Sequence, residues 1–315
     1  MDRYAELALD GLKTECLADR PSKVHRKDFG SVCPPEAHVG SFVESLPDIL
    51  AGRDLKRAIA AIVRARRAQR PVLFCYGGHM IKVGLAPVIR ELIRRGVLTG
   101  LATNGAGSIH DVEIALAGKT SEDVPDCLHR GRFGMAAETA EFLNQAAQEA
   151  YREEIGLGTA VARKIVHSEA PHADMSILAA AYQQEIPVTV HVALGTDINH
   201  MHPSADGAAI GAATMRDFRI FAQQVTELRG EGVIIVAGSA VVLPLIVEKA
   251  LAVVCNLGYD IGGFTGINLD FTKHYRPTLN PVKRAEELGG EGITIIGHHE
   301  INIPLIAAAV LEQLA

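Results

Sequence analysis

Glycine and polar residues that could bind a dinucleotide follow several short apolar runs of this sequence. The clearest group is Thr103-Asn104-Gly105-Ala106-Gly107, at the end of the apolar run 97–103. Glycines where a strand leads into a helix let backbone N–H groups approach phosphate oxygens closely. The segment matches neither G-x-G-x-x-G nor the P-loop, so a plain tight turn is the alternative. Gly77 and Gly78, after the run 71–76, have the same two interpretations.

Imidazole and carboxylate side chains that could bind a metal occur in two places, and they are Asp197, His200, His202, His298 and His299. The one-residue spacing of His200 and His202 is compatible with ligation, but the sequence has no H-E-x-x-H motif. Hydrogen bonding to a ligand or a neighbouring loop is the commoner role of such histidines. The sequence therefore predicts no metal site. A metal-dependent hydrolase or lyase using His200, His202 and His298 stays open as an alternative.

Two lysines are candidate nucleophiles, Lys82 in the segment after the first apolar run and Lys283 near the C-terminus. A lysine becomes nucleophilic only when burial or a nearby cation lowers its pKa, and a solvated surface lysine is the alternative. Ser108, His110 and Asp111 have the residue types of a catalytic triad. Residues so close in sequence rarely reach triad geometry, and no G-x-S-x-G motif accompanies them, so we do not predict a triad.

Composition excludes several classes of protein. The 315 residues include 31 Lys and Arg against 37 Asp and Glu, a net charge of −6, and 48% are hydrophobic. A chain this apolar can fold, and its acidity argues against a nucleic-acid partner. Five cysteines without a C-x-x-C pair are typical of reduced thiols. Without a secretory signal or an apolar stretch of roughly 18 to 20 residues, the sequence predicts a cytoplasmic protein that binds no membrane.

The elements that must position these residues alternate along the chain. Short runs rich in β-branched residues predict strands buried on both faces. These runs cover residues 71–76, 97–103, 188–194, 232–238 and 292–297. Segments of helical period cover residues 54–69, 80–95, 135–154, 173–185, 212–228, 241–257 and 300–314. The alternation predicts a doubly wound, mainly parallel α/β sheet of the Rossmann-like kind over residues 71–315, preceded by an N-terminal helical arm over residues 1–70.

The fold predicts where a ligand binds. In open α/β sheets ligands lie beyond the carboxyl ends of the strands, so polar residues just after each strand are the best site candidates. Besides those named above, His79, Gly238 and Ser239 hold such positions. We therefore expect the glycine-bearing bends to converge on one cleft shaped for a dinucleotide.

Four segments, taken in order, resemble the deoxyhypusine synthase family, which includes the homospermidine synthases. They are Cys75-Tyr76-Gly77-Gly78-His79-Met80-Ile81-Lys82-Val83-Gly84, Leu101-Ala102-Thr103-Asn104-Gly105-Ala106-Gly107-Ser108-Ile109-His110-Asp111, the stretch from Ile186-Pro187-Val188 to Ala193-Leu194-Gly195-Thr196-Asp197, and residues 229–242 (RGEGVIIVAGSAVV). The resemblance covers most of the chain from about Phe74 onward and implies the Rossmann-like fold of that family.

The resemblance implies a homotetramer that uses NAD to oxidise a small amine or polyamine. The positions that it assigns to the cofactor are Gly77, Gly78, His79, Thr103, Asn104, Gly105, Asp197, Gly238 and Asp270. It places His110 and Asp111 near the cofactor or the amine, where carboxylates would hold a cation and histidines such as His110 or His298 would carry protons. By position, Lys283 is nearest to the family's nucleophilic lysine.

The sequence departs from the family pattern at the positions of the family's catalytic residues. Val242, Leu243 and Pro244 stand where the family has Lys-His-His, and the chain has no tryptophan-containing segment to supply the nucleophilic lysine. The sequence therefore predicts a divergent relative that oxidises an amine to an imine, with or without aminobutyl transfer, and not a true deoxyhypusine synthase. The alternatives are the metal-dependent enzyme described above and a catalytically silent NAD-binding protein.

Overall fold

Six strands form one parallel sheet in the computed structural model, which describes residues 4–315. The strands are β1 (Val72–Tyr76), β2 (Gly100–Asn104), β3 (Val188–His191), β4 (Val233–Ala237), β5 (Thr265–Asp270) and β6 (Glu291–Ile296). Their spatial order is β3-β2-β1-β4-β5-β6, and every neighbouring pair is parallel. This is the order of doubly wound dinucleotide-binding folds. Successive strands are added outward from β1 to β3 on one side of the sheet and from β4 to β6 on the other, so the strand order reverses between β1 and β4.

Fourteen α-helices occur among the described residues. They are α1 (Val39–Ser45), α2 (Leu50–Arg67), α3 (His79–Lys82), α4 (Ala86–Arg94), α5 (Gly105–Ala117), α6 (Val124–His129), α7 (Ala137–Arg152), α8 (Leu157–His167), α9 (Ile177–Gln183), α10 (Gly207–Val225), α11 (Val242–Asn256), α12 (Tyr275–Pro277), α13 (Arg284–Glu287) and α14 (His299–Leu314). None is long and apolar enough to cross a membrane.

The core lies on both faces of the sheet because successive strand residues point in opposite directions. In β1, Phe74 and Tyr76 belong to the cluster under α2, α4 and α14, whereas Leu73 and Cys75 belong to the cluster under α10 and α11. All five residues of β1 are buried. A strand covered on both faces must be apolar throughout, which is why the sequence pattern of β1 is a continuous run.

The predicted doubly wound α/β fold is confirmed, and the sheet is wholly parallel. All five predicted strands exist, with ends displaced by at most three residues. The remaining strand, β5, was not predicted because its sequence TGINLD contains Gly266, Asn268 and Asp270, which interrupt the apolar run. All six of its residues are nevertheless buried, so tertiary packing overrides the weak local pattern.

Two further predictions were wrong in detail. The single helix expected over residues 80–95 is divided into α3 and α4, because Gly84 adopts a left-handed conformation with φ of +77°. The glycine-rich segment after β2 is not a loop but the first turn of α5. Helices α1, α5, α6, α8, α12 and α13 were not predicted at all.

The N-terminal part of the chain divides at about residue 38. Residues 4–38 contain a single 3-10 turn at Arg26–Asp28 and no other helix or strand. Helix α2 instead packs against α14 and β6, and its buried residues join the core under one face of the sheet. The boundary of an arm at residue 70 stays a prediction.

Candidate functional site

The bends that follow β1, β2 and β3 meet at the carboxyl edge of the sheet. A Cβ on Gly78 would lie 2.7 Å from His110 Cδ2 and 3.2 Å from the backbone of Ala106. A Cβ on Gly105 would overlap the Asp197 carboxylate. These two glycines therefore let three bends pack into one site, and part of the predicted convergence is present.

Helix α5 begins at this site with a side-chain cap. Asn104 Oδ1 accepts the backbone N–H of Gly107 at 2.9 Å, which satisfies one of the free donors of the first helical turn. The Asp197 carboxylate lies beside Gly105 at the same helix end. A negative group is favourable there because the N-terminus of a helix carries partial positive charge.

A cavity of about 210 Å³ opens beside the start of α5. We call it the edge cavity, and its lining comprises Lys82, Ala106, Ile109, His110, Glu113, Ser121, Glu122, Val124, Phe133, Thr196, Asp197 and Ile198. A second cavity of about 590 Å³ shares Glu113, Ser121 and Glu122 with it. Together the two cavities fall in the size range of small-molecule sites, about 300 to 1,000 Å³.

Asp197 and His200 each present a buried polar atom without a partner among the described residues. Those atoms are Asp197 Oδ2 and His200 Nε2. His200 Nδ1 accepts the backbone N–H groups of Gly195 and Asp197, each at 3.2 Å, so in the neutral ring the proton is on Nε2. The turn thus holds an unsatisfied donor and an unsatisfied acceptor, which indicates a place for a ligand.

Burial shifts the acid–base properties of this turn. It raises the pKa of Asp197 to about 6, and it lowers the pKa of His200. Both shifts follow from the cost of placing a charge in a poorly solvated site.

His110 lies in the edge cavity in contact with two further polar side chains. Its Nδ1 is 2.6 Å from Thr120 Oγ1 and 3.7 Å from Glu113 Oε2. Thr120 Oγ1 donates to the same carboxylate oxygen of Glu113. Sequence reasoning missed Glu113 and Thr120, although the spacing of His110 and Glu113 puts both on one face of a helix.

The bends after β1, β4 and β5 are arranged differently. A Cβ on Gly77 would overlap the Gly238 carbonyl oxygen. Here the glycine therefore allows the backbones of two bends to pack against each other. His79, His299 and Phe271 pack ring against ring, with centroids 5.1 to 5.9 Å apart. Burial, and then the neighbouring His299, lower the pKa of His79. These three side chains therefore pack against one another beside β1 and β4, where the strand order of the sheet reverses.

Three residues assigned to the site by resemblance have contacts or a backbone conformation that belong to the fold. Thr103 is buried, and its hydroxyl donates to the Tyr76 carbonyl at 2.8 Å, which ties β2 to β1. Asp270 is buried and accepts the backbone N–H of Phe271 at 2.9 Å. Gly238 has φ of +59°, a left-handed conformation that favours glycine.

Asp111 requires a correction. Its carboxylate is buried and accepts hydrogen bonds from the Ser176 hydroxyl at 2.5 Å, Ile177 N at 2.8 Å and Leu178 N at 3.2 Å. Burial raises the pKa of Asp111 to about 6 despite these bonds. The side chain thus stabilises the start of α9 and does not face the edge cavity.

Lys283 also requires a correction. It is exposed, and its neighbours pack near the amino ends of the strands, the opposite edge of the sheet. The Pro281 carbonyl oxygen is 2.6 Å from the Cβ position of Gly266 in β5, and that of Val282 is 2.7 Å from the Cβ position of Gly292 in β6. Lys82, in contrast, lines the edge cavity.

The histidines of the metal alternative do not come together. No group of three or more His, Cys, Asp or Glu side chains is placed to hold a metal ion within residues 4–315. His200 uses Nδ1 within its own turn, and His202 Nδ1 contacts Ser204 Oγ at 2.8 Å. His298 is largely exposed, 3.7 Å from Glu300, and outside the edge cavity. The geometry therefore gives the metal-dependent reaction no site.

No family model and no curated protein sequence matches this chain. Several solved structures share its fold. A deoxyhypusine synthase candidate from Entamoeba histolytica is 13% identical with a TM-score of 0.51, and the match covers 90% of this chain and 96% of that one. A LOR/SDH protein candidate from Methanococcus maripaludis is 12% identical with a TM-score of 0.51, over 90% and 73% of the two chains.

A third similar structure is AgrE in a ternary complex with ornithine and NAD+. It is 14% identical with a TM-score of 0.51, over 84% of this chain and 34% of AgrE. The present chain thus spans about a third of the length of AgrE. At these identities the likeness concerns the fold, and it confirms the predicted resemblance to a deoxyhypusine synthase-like fold.

Proposed function

We propose that this chain is an NAD-dependent enzyme that oxidises a small amine to an imine. The observation that carries the proposal is the pair of unpartnered buried atoms, Asp197 Oδ2 and His200 Nε2, in a turn beside the first residue of α5. This turn lies at the carboxyl edge of a sheet with the strand order of dinucleotide-binding folds.

The residues present fit the nucleoside part of NAD. A ribose hydroxyl both donates and accepts a hydrogen bond, so it can satisfy a carboxylate oxygen and an imidazole N–H together. Acidic side chains bind ribose hydroxyls in this way in related folds. We assign that role to Asp197 and His200. The N-terminus of α5, which begins at Gly105, is the element suited to the phosphate groups.

The charges of the edge cavity favour a cationic substrate. Besides Asp197, which we assign to NAD, Glu113 and Glu122 contribute carboxylates to its lining, against one lysine, Lys82. Carboxylates bind an ammonium group through charge-assisted hydrogen bonds. The cavity therefore suits an amine better than an organic acid.

NAD, when bound, supplies the acceptor for a hydride from the carbon next to the substrate nitrogen. As that C–H bond breaks, the nitrogen loses its proton and the C=N double bond of the imine forms. His110 borders the cavity and is the base that we assign to this proton.

The exposed lysines support release of the imine. A lysine that captures an imine must be neutral, which requires burial or a neighbouring cation. Lys82 and Lys283 are both exposed. We therefore propose oxidation without a covalent lysine intermediate. The cytoplasmic homotetramer implied by the resemblance stays a prediction.

Titration calorimetry with NAD tests the binding part. We expect Asp197→Ala to weaken NAD binding roughly 10- to 100-fold, because the variant loses a hydrogen bond to a charged group. Asp260→Ala is the matched control, since Asp260 is exposed and contacts Arg229 and the Gly262 backbone, away from the edge cavity. Absence of NAD binding by the wild-type chain, or equal affinity in Asp197→Ala, would refute the assigned site.

Reduction of NAD in the presence of amines tests the chemistry. Putrescine, spermidine and ornithine sample different lengths and charges, and reduced nicotinamide is detected by its absorbance. We expect at least one amine to support reduction. If NAD binds but no amine in a wider panel reduces it, the chain is a silent NAD-binding protein and the enzymatic part of the proposal is wrong.

A further inference from the structure

His110, Thr120 and Glu113 form a continuous hydrogen-bonded chain that starts in the edge cavity. His110 Nδ1 is 2.6 Å from Thr120 Oγ1, and Thr120 Oγ1 also contacts Glu113 Oε2. The second oxygen of Glu113 accepts the Thr139 hydroxyl at 3.3 Å. All of these contacts are at least partly buried.

The ionisation state of Glu113 determines where the protons lie in this series of hydrogen bonds. Hydrogen bonds from Thr120 and Thr139 and the nearby His110 ring favour the charged form of Glu113, and the pKa of Glu113 lies below its usual value despite the opposing effect of burial. An ionised carboxylate has no proton to donate, so the proton between Thr120 and Glu113 belongs to the Thr120 hydroxyl. Thr120 Oγ1 must then accept from His110, which requires the proton of the neutral ring on Nδ1.

We propose that Thr120 and Glu113 are positioning residues that hold His110 in the Nδ1–H tautomer and leave Nε2 as the proton acceptor in the edge cavity. This inference rests on the proposed function for the role of His110, but the tautomer itself does not depend on NAD. A base is active only in the tautomer whose lone pair faces the proton to be removed.

The local backbone keeps the three side chains together. His110 and Glu113 are three residues apart on α5 and share one face of the helix. Gly118 caps the end of α5 with φ of +65°, and this turn brings Thr120 back to His110, ten residues earlier in the chain. On the opposite side, the lack of a Cβ on Gly78 leaves room for the His110 ring.

Other charged groups border the same cavity but are not part of the hydrogen-bonded series His110–Thr120–Glu113. They come from three different elements and are Lys82 of α3, Glu122 of the segment after α5 and Asp197 of the turn after β3. None of them has a hydrogen bond to His110 Nδ1 among the described residues, so Thr120 is the group that determines where the ring proton lies.

Two-bond nitrogen–proton NMR spectra of histidine-labelled protein at alkaline pH test the proposal directly, because the two neutral tautomers have different nitrogen shifts. The His110 signals are assigned by their loss in His110→Gln. We expect the Nδ1–H form in the wild type and in Thr120→Ser, which keeps the hydroxyl. In Thr120→Val and Glu113→Gln we expect a mixture of tautomers. Circular dichroism confirms that each variant is folded.

A kinetic measurement complements the spectra. With an amine that supports NAD reduction, we expect Thr120→Val to lower kcat roughly 100-fold at unchanged NAD affinity, and Thr120→Ser to stay close to the wild type. The Nε2–H tautomer in the wild type, or the same tautomer in Thr120→Val as in the wild type, would overturn the inference. Failure of NAD binding with the Nδ1–H tautomer present would instead overturn only the proposed function.

Discussion

Two halves of the same sheet edge differ in what their glycines accommodate. In the open half, formed by the bends after β1, β2 and β3, Gly78 and Gly105 make room for His110 and Asp197, which line a cavity. In the closed half, formed by the bends after β1, β4 and β5, Gly77 makes room for the Gly238 backbone, and the rings of His79 and His299 pack above. The glycine pattern is similar in both halves, but the edge cavity lies in the open half.

The comparison shows that glycine after a strand does not by itself indicate a phosphate site. Buried polar atoms without a partner add information, since burying a polar group without a hydrogen bond is costly. In the open half, Asp197 Oδ2 and His200 Nε2 have no partner among the described residues, and in the closed half His299 Nδ1 has none. Asp111, only one residue from His110, has all of its carboxylate bonds made by α9.

The largest effect is expected for Asp111→Ala. The change leaves the Ser176 hydroxyl and two backbone N–H groups of α9 without an acceptor, and we expect a loss of about 3 kcal/mol in the free energy of unfolding. Urea denaturation measures it. Asp197→Ala is the contrasting variant and should lose NAD binding with little loss of stability. A similar loss of stability in both would erase the distinction between the two aspartates.

Gly77→Ala tests the closed half. Its Cβ would overlap the Gly238 carbonyl oxygen, a backbone atom that can move little, and we expect a loss of about 2 kcal/mol in the same measurement. Gly211→Ala is the control, because no atom lies within 4 Å of the added Cβ inside α10. We expect the free energy of unfolding of this control to rise by about 1 kcal/mol, because alanine has a better helix propensity than glycine. An unchanged free energy of unfolding in Gly77→Ala would mean that the closed half is loosely packed.

The pH dependence of NAD affinity tests the open half. Burial raises the pKa of Asp197 to about 6, so the carboxylate becomes protonated as the pH falls through that value and ceases to be a charged acceptor. We expect NAD affinity to be constant above pH of about 7 and to fall by up to about tenfold per unit below 6. Calorimetry from pH 5 to 8 gives the profile. Asp197→Asn should show a flat profile, and a wild-type profile without this fall would contradict the assignment.

The smallest effect is expected for Lys283→Ala. Lys283 is exposed near the opposite edge of the sheet, so we expect unchanged NAD reduction and a change in stability within about 0.5 kcal/mol. Steady-state kinetics and thermal unfolding provide the measurements. Loss of turnover in this variant would show that the lysine implied by the family resemblance reaches the site, for example from another subunit.

Much of the fold could be predicted from the sequence because buried parallel strands require continuous apolar runs. Five of the six strands contain such runs, although β6 at the sheet edge is only partly buried, and β5 does not contain one, since Gly266 and Asn268 lie within it. Gly266 is needed because the Pro281 carbonyl packs against it, a contact between residues that no local pattern records. Helix α5 was not predicted, since the glycines of its first turn suit a tight turn as well as a capped helix start.

For the site, the sequence alone determined its place at the carboxyl edge and most of its residue types, because strand direction fixes which bends share an edge. The tertiary structure decided which of those residues face the cavity. It turned Asp111 toward α9, placed Lys283 far from the edge and brought Thr120 back onto His110. Side-chain direction and hydrogen-bond partners depend on elements distant in sequence, and composition or spacing along the chain does not contain that information.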